Sequence, residues 1–141
     1  MSKVSFVSNN TTFKLKQTVR HRTWVERIII ANHKFPSEIQ FIFSNDTFLA
    51  DLNKKYLNHS TFTDIITFNY NSGHYISGDI FISIERVKAN AEKFKADFNS
   101  ELQRVMIHGI LHLLGYNDKT DAEKKKIRKK EDEALLILNQ I

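Results

Sequence analysis

The sequence has 141 residues, of which 41% are hydrophobic and 26% are charged, a composition that is typical of a globular protein and excludes a disordered chain. It contains no cysteine, which excludes disulfides and thiolate metal sites, so any metal ligands must be histidine, aspartate or glutamate. The 21 lysines and arginines against 16 acidic residues give a net charge of +5, which is compatible with a polyanionic partner such as RNA but does not by itself indicate one.

The chain carries no sign of a targeting segment or a domain boundary. Its first eight residues alternate between polar and apolar without the apolar core of a signal peptide. The longest aliphatic run, residues 134–138, is too short to span a bilayer. Repeats, low-complexity segments and Pro/Gly-rich linkers are absent. We therefore expect a single domain over residues 1–141, a cytoplasmic location and no membrane partner.

The first half of the chain predicts strands and helices in alternation. Alternating polar and apolar residues indicate the strands, and apolar residues at helical spacing indicate the helices. The predicted elements are a strand around residues 4–6, a helix over 16–33, a strand over 39–43 and a helix over 46–57 with Asn45 or Asp46 as its N-cap.

The second half of the chain predicts a hairpin followed by three helices. Residues 71–74 form a polar turn between two strand-like runs, so the two strands can pair. Cap-forming residues precede each helical segment. The predicted elements are strands over 63–68 and 76–83, a helix over 84–98 capped by Ser83, a helix from the Ser100/Gln103 capping box to Gly115, and a helix from the Thr120/Glu123 capping box to about residue 138.

The order of these elements predicts an α/β (α+β) fold in which a mixed four-stranded sheet is covered by about five helices. The helix that ends at Gly115 is apolar nearly all round, so we expect it to be central and buried. The strand order cannot be read from the pattern.

Two histidines interrupt this apolar helix. His108 and His112 are four residues apart, which puts both imidazoles on one face about one turn apart, the geometry that a single divalent ion requires. The alternative is a pair of core histidines hydrogen-bonded to nearby carbonyls, since buried polar rings need partners. The pair alone does not decide between the two interpretations.

A third metal ligand is predicted in the turn after the helix. The chain must reverse over residues 115–120, so a residue there can lie back over the helix end. Asp118 would supply an anionic oxygen, whereas Asn117 would be a much weaker ligand. We therefore predict a metal site formed by His108, His112 and Asp118, with a coordination position left open for water, as in catalytic sites.

The glycine at position 109 narrows the class of hydrolase. Metalloproteases of the His-Glu-x-x-His type use that glutamate as general base, and Gly109 occupies its position. Glycine inside a helix costs about 1 kcal/mol relative to alanine, which indicates that another part of the protein approaches the backbone there. The sequence therefore argues against such a protease, and it assigns no residue as general base.

Three blocks of the sequence resemble the YbeY endoribonuclease family. The run His108-Gly-x-Leu-His112-Leu-x-Gly-Tyr116 is similar to the family signature His-Gly-x-Leu-His-Leu-x-Gly-Tyr-Asp-His. Leu52-Asn-x-x-Tyr56 followed by Thr63-Asp-Ile-Ile-Thr-Phe68 resembles a second block, and Gly78-Asp-Ile80 resembles a third. The blocks occur in the family's order.

This resemblance implies both a fold and a function. It implies a single-domain α/β fold with one divalent ion, Zn²⁺, and a metal-dependent endoribonuclease. Its expected substrate is single-stranded RNA, hydrolysed with a metal-bound water during ribosomal RNA maturation. The expected partners are therefore ribosomal RNA and the ribosome, and we expect a monomer.

One departure from the family pattern concerns the metal. Asp118 stands where the family has its third metal histidine, which keeps three ligands but changes the charge of the site. His59 and His74, in predicted polar turns, are the alternative third ligands.

A second departure concerns the substrate. Leu57 stands where the family has an arginine, to which the resemblance gives a role in substrate handling. Leucine cannot contact a phosphate, so we expect weak cleavage that Leu57→Arg would raise, unless another cation such as Lys54 or Lys55 takes the role. Leu57 also favours the alternative function, a non-catalytic ribosome-associated RNA-binding factor with a structural metal.

Two further features have both a structural and a functional interpretation. Asp64 and Asp79 lie in predicted strands, where aspartate is disfavoured, so they either cap turns and edges or support the metal site. Residues 124–130 form the densest basic run, which we expect to be a solvated helix face offset by the acidic residues 131–133 rather than an RNA-binding surface.

Overall fold

The computed structural model describes residues 2–57 and 63–141, apart from the side chain of residue 57. Strands and helices alternate in the first half of the chain, and three helices follow the last strand. The elements are β1 (Lys3–Ser8), α1 (Thr18–Ala31), β2 (Phe35–Ser44), α2 (Asp46–Leu57), β3 (Ile65–Asn69), β4 (Tyr75–Ser83), α3 (Ile84–Lys93), α4 (Phe98–Leu113) and α5 (Asp121–Leu138). None of the described helices is both long and apolar enough to cross a membrane.

The strands form one mixed sheet in the order β1-β2-β4-β3. β2 pairs in parallel with β1 and with β4, and the edge strand β3 pairs antiparallel with β4. The predicted hairpin is confirmed: backbone hydrogen bonds join Ser72 and Tyr75, and Gly73 between them has a φ of 58°, which favours glycine. The expected four-stranded mixed sheet, covered by five helices within the described residues, is confirmed as well.

Helix α4 packs against β3 and β4, and most of its apolar residues are buried, as its composition predicts. Gly109 faces β3 and β4, where an added Cβ would lie 2.9 Å from Ile65 Cδ1 and 3.0 Å from Ile80 Cγ2. A close approach to the backbone at position 109 is therefore confirmed, and the sheet is what approaches. Because the Gly109 face lies on the sheet, the adjacent face, which carries His108, is directed towards α5.

Side-chain caps begin three of the helices where the sequence predicts them. The caps are Asn45 for α2, Ser83 for α3, and Thr120 in a capping box with Glu123 for α5. Such a cap typically contributes about 1 kcal/mol, because it pairs a backbone N–H that has no partner within the helix.

The start of α4 differs from the prediction. Helix α3 ends earlier than expected, and Lys95 after it has a left-handed φ of 53°. Asp97 is then the N-cap of α4 and accepts a hydrogen bond from the Ser100 N–H, so the helix begins at Phe98. The predicted Ser100/Gln103 box is therefore wrong as the helix start. Aspartate and serine are comparably good N-caps, so the sequence alone could not rank the two positions.

Candidate metal centre

Helix α4 presents His108 and His112 on one face, as their spacing predicts. Their Nε2 atoms lie 2.9 Å apart, and their ring centroids lie 4.5 Å apart. The two side chains are 22% and 28% exposed, so both are partly buried but remain open to solvent. The two nitrogens face each other, whereas core histidines of the alternative interpretation would each face a carbonyl.

The turn after α4 brings Asp118 back over the helix end. Gly115 ends the helix with a φ of 102°, which favours glycine. The Tyr116 N–H donates to the Leu111 carbonyl at 3.0 Å, and the Tyr116 hydroxyl donates to Asn32 Oδ1 at 3.1 Å, which holds the turn against the end of α1. As a result, Asp118 Oδ2 lies 3.3 Å from the Nε2 atoms of both histidines.

The three side chains fit a divalent ion. One ligand atom from each of His108, His112 and Asp118 lies within 4.8 Å of the other two. Two imidazole nitrogens that face each other at 2.9 Å need a proton or a cation between them, because two lone pairs repel. Two nitrogens and one carboxylate oxygen form a donor set that zinc and related ions accept, and three protein ligands leave a position open to water.

The other candidate third ligands do not join this group. Asn117 lines a separate cavity beside Tyr116 and Lys126. His74 lies in the turn of the β3–β4 hairpin, where its Nδ1 is 3.3 Å from Lys34 Nζ. His59 lies outside the described residues.

The sequence-based reasoning missed Glu131, which supports the site from α5. Its side chain is 5% exposed; Oε2 accepts from His108 Nδ1 at 2.7 Å, and Oε1 accepts from Arg104 Nη1 at 2.9 Å. With its Nδ1–H donated to a carboxylate, His108 keeps its Nε2 lone pair for a metal. The sequence did contain a signal: Glu131 falls at helical spacing between Ile127 and Ala134, on the buried stripe of α5.

These contacts also favour positive charge at His108. Burial is the largest influence on the pKa of His108 and lowers it, but the hydrogen bond and charge of Glu131, with the charges of Asp118 and Asp64, raise this pKa above its ordinary value overall. Burial likewise acts to raise the pKa of Glu131, while His108 and Arg104 hold it below its ordinary value overall. The anionic Glu131 therefore stabilises a cation bound at His108.

A cavity of about 320 Å³ opens beside these ligands, between α4, α5 and the segment that leads into β3. His108 lines it together with charged side chains of both signs. The acidic ones are Asp64, Asp118 and Glu131, and the basic ones are Arg104, Lys124 and Arg128. The cavity thus places cations next to the candidate metal ligands.

The two strand aspartates have different surroundings. Asp64 lines the cavity, and burial, the largest influence, raises the pKa of its carboxyl. Asp79 lies on the other face of the sheet from α4, where it lines a separate cavity with Tyr70. Of the two, only Asp64 is placed where it can influence the metal centre.

Removal of the Glu131 carboxylate should weaken metal binding. We expect Glu131→Ala to lower zinc affinity by roughly 10- to 100-fold, the usual cost of losing the hydrogen-bond partner of a metal-binding histidine. Competition with a chromophoric chelator measures the change. Glu133→Ala is the matched control, because Glu133 is on the same helix and 48% exposed. Equal affinities for the two variants would contradict a role for Glu131.

The chain is similar to known proteins over nearly its whole length. A model of the family described as Endoribonuclease YbeY matches residues 4–139. Relatives with that name are found in Flavobacterium psychrophilum (47% identical, covering 90% of this chain and 91% of the relative) and Flavobacterium johnsoniae (46% identical, covering 92% and 93%). Another, from Christiangramia forsetii, is 43% identical and covers 96% of this chain and 94% of the relative.

A solved structure has a similar fold. The solution structure of TM1509 from Thermotoga maritima superposes with a TM-score of 0.66, covering 96% of this chain and 89% of that one. The two sequences are 22% identical, so this likeness supports the fold alone.

Proposed function

Because the chain belongs to the YbeY endoribonuclease family, we propose that His108, His112 and Asp118 bind one divalent ion, most simply Zn²⁺, and that this ion serves the hydrolysis of single-stranded RNA. The protein is an endoribonuclease that functions in ribosomal RNA maturation. The observation that carries the proposal is the convergence of two Nε2 atoms and one Oδ2 atom beside a cavity that His108 and Asp118 line.

The ligand set suits this chemistry. When bound, a divalent ion supplies Lewis acidity, which polarises a phosphoryl oxygen and makes a water molecule more acidic. His108 is held by Glu131 with its Nε2 directed to the site, and Asp118 offsets part of the ionic charge. An open cavity on one side of the ligands gives an RNA strand access, which a purely structural metal would not need. For this reason we favour the catalytic role over the non-catalytic RNA-binding factor.

The substrate, the location and the oligomeric state of the protein are also part of the proposal. RNA is the substrate of an endoribonuclease. We propose that the protein acts on ribosome-associated RNA in the cytoplasm, as a monomer whose ligands all come from one chain. We also propose that residues 1–141 form one domain.

The role of position 57 stays a prediction. The side chain of Leu57 lies outside the described residues, and we predict weak cleavage that rises in Leu57→Arg. Lys54 and Lys55, which could take the role of the family arginine, do not line the cavity beside His108. The Lys55 ammonium lies 5.3 Å from the Tyr56 ring centroid instead.

Cleavage of the same RNA in single-stranded and in duplex form tests the proposed function. We expect the purified protein to cleave a labelled single-stranded RNA, but not the same strand in a duplex, and to lose this activity to a chelator and recover it with added Zn²⁺. Protein carrying His112→Ala, purified identically, is the control for a contaminating nuclease. Cleavage that resists the chelator, or no cleavage by metal-loaded protein, would overturn the proposal.

A further inference from the structure

The basic run at the start of α5 is divided between two faces of the helix. Lys124 and Arg128 line the cavity together with His108 and Asp118. The other lysines of the run do not line it. Lys126 lies over the Tyr116 ring at 5.7 Å, and Lys130 pairs with Glu133 at 3.6 Å. Lys124 and Arg128 are therefore exposed to solvent, as the sequence predicts, but they also line the cavity.

The spacing of these two residues gives them a common direction. Positions four apart lie on the same side of a helix, about 6 Å apart along its axis. The two cations can therefore contact one phosphate, or two neighbouring phosphates, of a strand that runs along α5 past the ligands. Lys124 and Arg128 are both exposed to solvent, so an extended polyanion can reach them without a change in the fold.

The two cations are also available for a ligand. Arg104, the third cation of the cavity, is held by Glu131 at 2.9 Å and Asp132 at 2.8 Å, so its charge is already used. Arg128 is 64% exposed and has a longer contact of 3.5 Å with Glu131. No ion pair to Lys124 is found among the described residues, 2–57 and 63–141. An incoming phosphate would thus meet cations that no strong ion pair neutralises.

We propose that Lys124 and Arg128 form a binding subsite for the phosphate backbone of single-stranded RNA, next to the metal centre. The subsite rests on the proposed function for its substrate and adds the residues that hold the strand. Backbone phosphates carry no base identity, so the subsite contributes affinity and position rather than sequence preference. It also supplies positive charge close to the ligands, from α5.

Two charge-matched double variants test the subsite. Lys124→Gln/Arg128→Gln removes two charges from the cavity, and Lys125→Gln/Lys129→Gln removes two charges at the same spacing from exposed positions outside it. Stopped-flow anisotropy gives the affinity of each metal-loaded protein for a labelled single-stranded RNA before cleavage occurs. We expect the cavity variant to bind roughly tenfold more weakly, with a salt slope reduced by about 1.4, because each lost phosphate contact removes about 0.7.

Further measurements distinguish loss of the subsite from an indirect effect on the metal centre. Elemental analysis must give equal metal content in both double variants, since Arg128 also contacts Glu131. Lys124→Gln alone, which leaves that contact in place, should still weaken RNA binding. Lys124→Arg/Arg128→Lys, which keeps both positive charges, should bind RNA as the parent does. Equal losses in the cavity and control variants would overturn the subsite. The binding comparison decides this even if the parent protein does not cleave RNA, which would instead overturn the proposed function.

Discussion

Replacement of His112 by alanine is expected to abolish stoichiometric metal binding and to lower RNA cleavage about a thousandfold or more. The substitution leaves two protein ligands, and the loss of metal removes several kcal/mol of transition-state stabilisation, where each 1.4 kcal/mol is about tenfold in rate. The His112 side chain is 28% exposed and its polar contacts are with His108 and Asp118, so the fold should persist.

Elemental analysis and single-turnover cleavage measure the two effects in the same preparation. His74→Ala is the control, because His74 is exposed in the hairpin turn and should change neither result. Circular dichroism checks that the fold is retained. Metal content in His112→Ala equal to that of the parent would eliminate the ligand set proposed for the site.

Substitutions of Asp118 should separate the need for a third ligand from the need for a carboxylate. Asp118→Ala removes a ligand and should lower zinc affinity by more than the roughly 10- to 100-fold expected for a supporting residue such as Glu131. Asp118→His supplies an imidazole, which zinc accepts, so metal should stay bound. The Asp118 side chain is 40% exposed, which leaves room for the larger ring.

Equilibrium competition for zinc, run on the parent and both variants, gives the comparison. The expected order of affinity places Asp118→His close to the parent and Asp118→Ala well below both. If Asp118→Ala bound zinc as tightly as the parent, Asp118 would not be a ligand, and its 3.3 Å approach to both histidines would be an ion pair only.

The elements of the fold could be predicted because their signals are local. Caps such as Asn45, Ser83 and Thr120 act within one helical turn, and the hairpin turn at Gly73 lies between the two strands that it joins. The order β1-β2-β4-β3 could not be predicted in this way, because it depends on contacts between segments far apart in the chain.

The residues of the candidate site could likewise be predicted only where the signal is local in the sequence. The facing of His108 and His112 follows from their helical spacing, and the return of Asp118 follows from a short turn closed by Gly115. Glu131 lies 23 residues from His108, so only the packing of α5 on α4 brings the two together. The pattern of α5 shows a buried position at 131 but not its partner.

The basic run of α5 illustrates the limit of charge patterns. Six cations within residues 124–130 predict a solvated face, and that prediction describes Lys125 and Lys129, which are exposed and outside the cavity. Lys124 and Arg128 are exposed as well, but they also line the cavity, which the pattern could not show because it depends on where α4 and the approach to β3 lie. Composition gives the amount of charge, whereas packing decides which charges face the site.

Titration of metal-free protein with Zn²⁺, followed by single-turnover cleavage of a single-stranded RNA, tests the central claim most directly. If one ion bound by His108, His112 and Asp118 is required for hydrolysis, the rate should rise in proportion to added zinc and level off at one ion per chain. Full cleavage in the metal-free protein, or a rate that does not depend on zinc up to one equivalent, would contradict it.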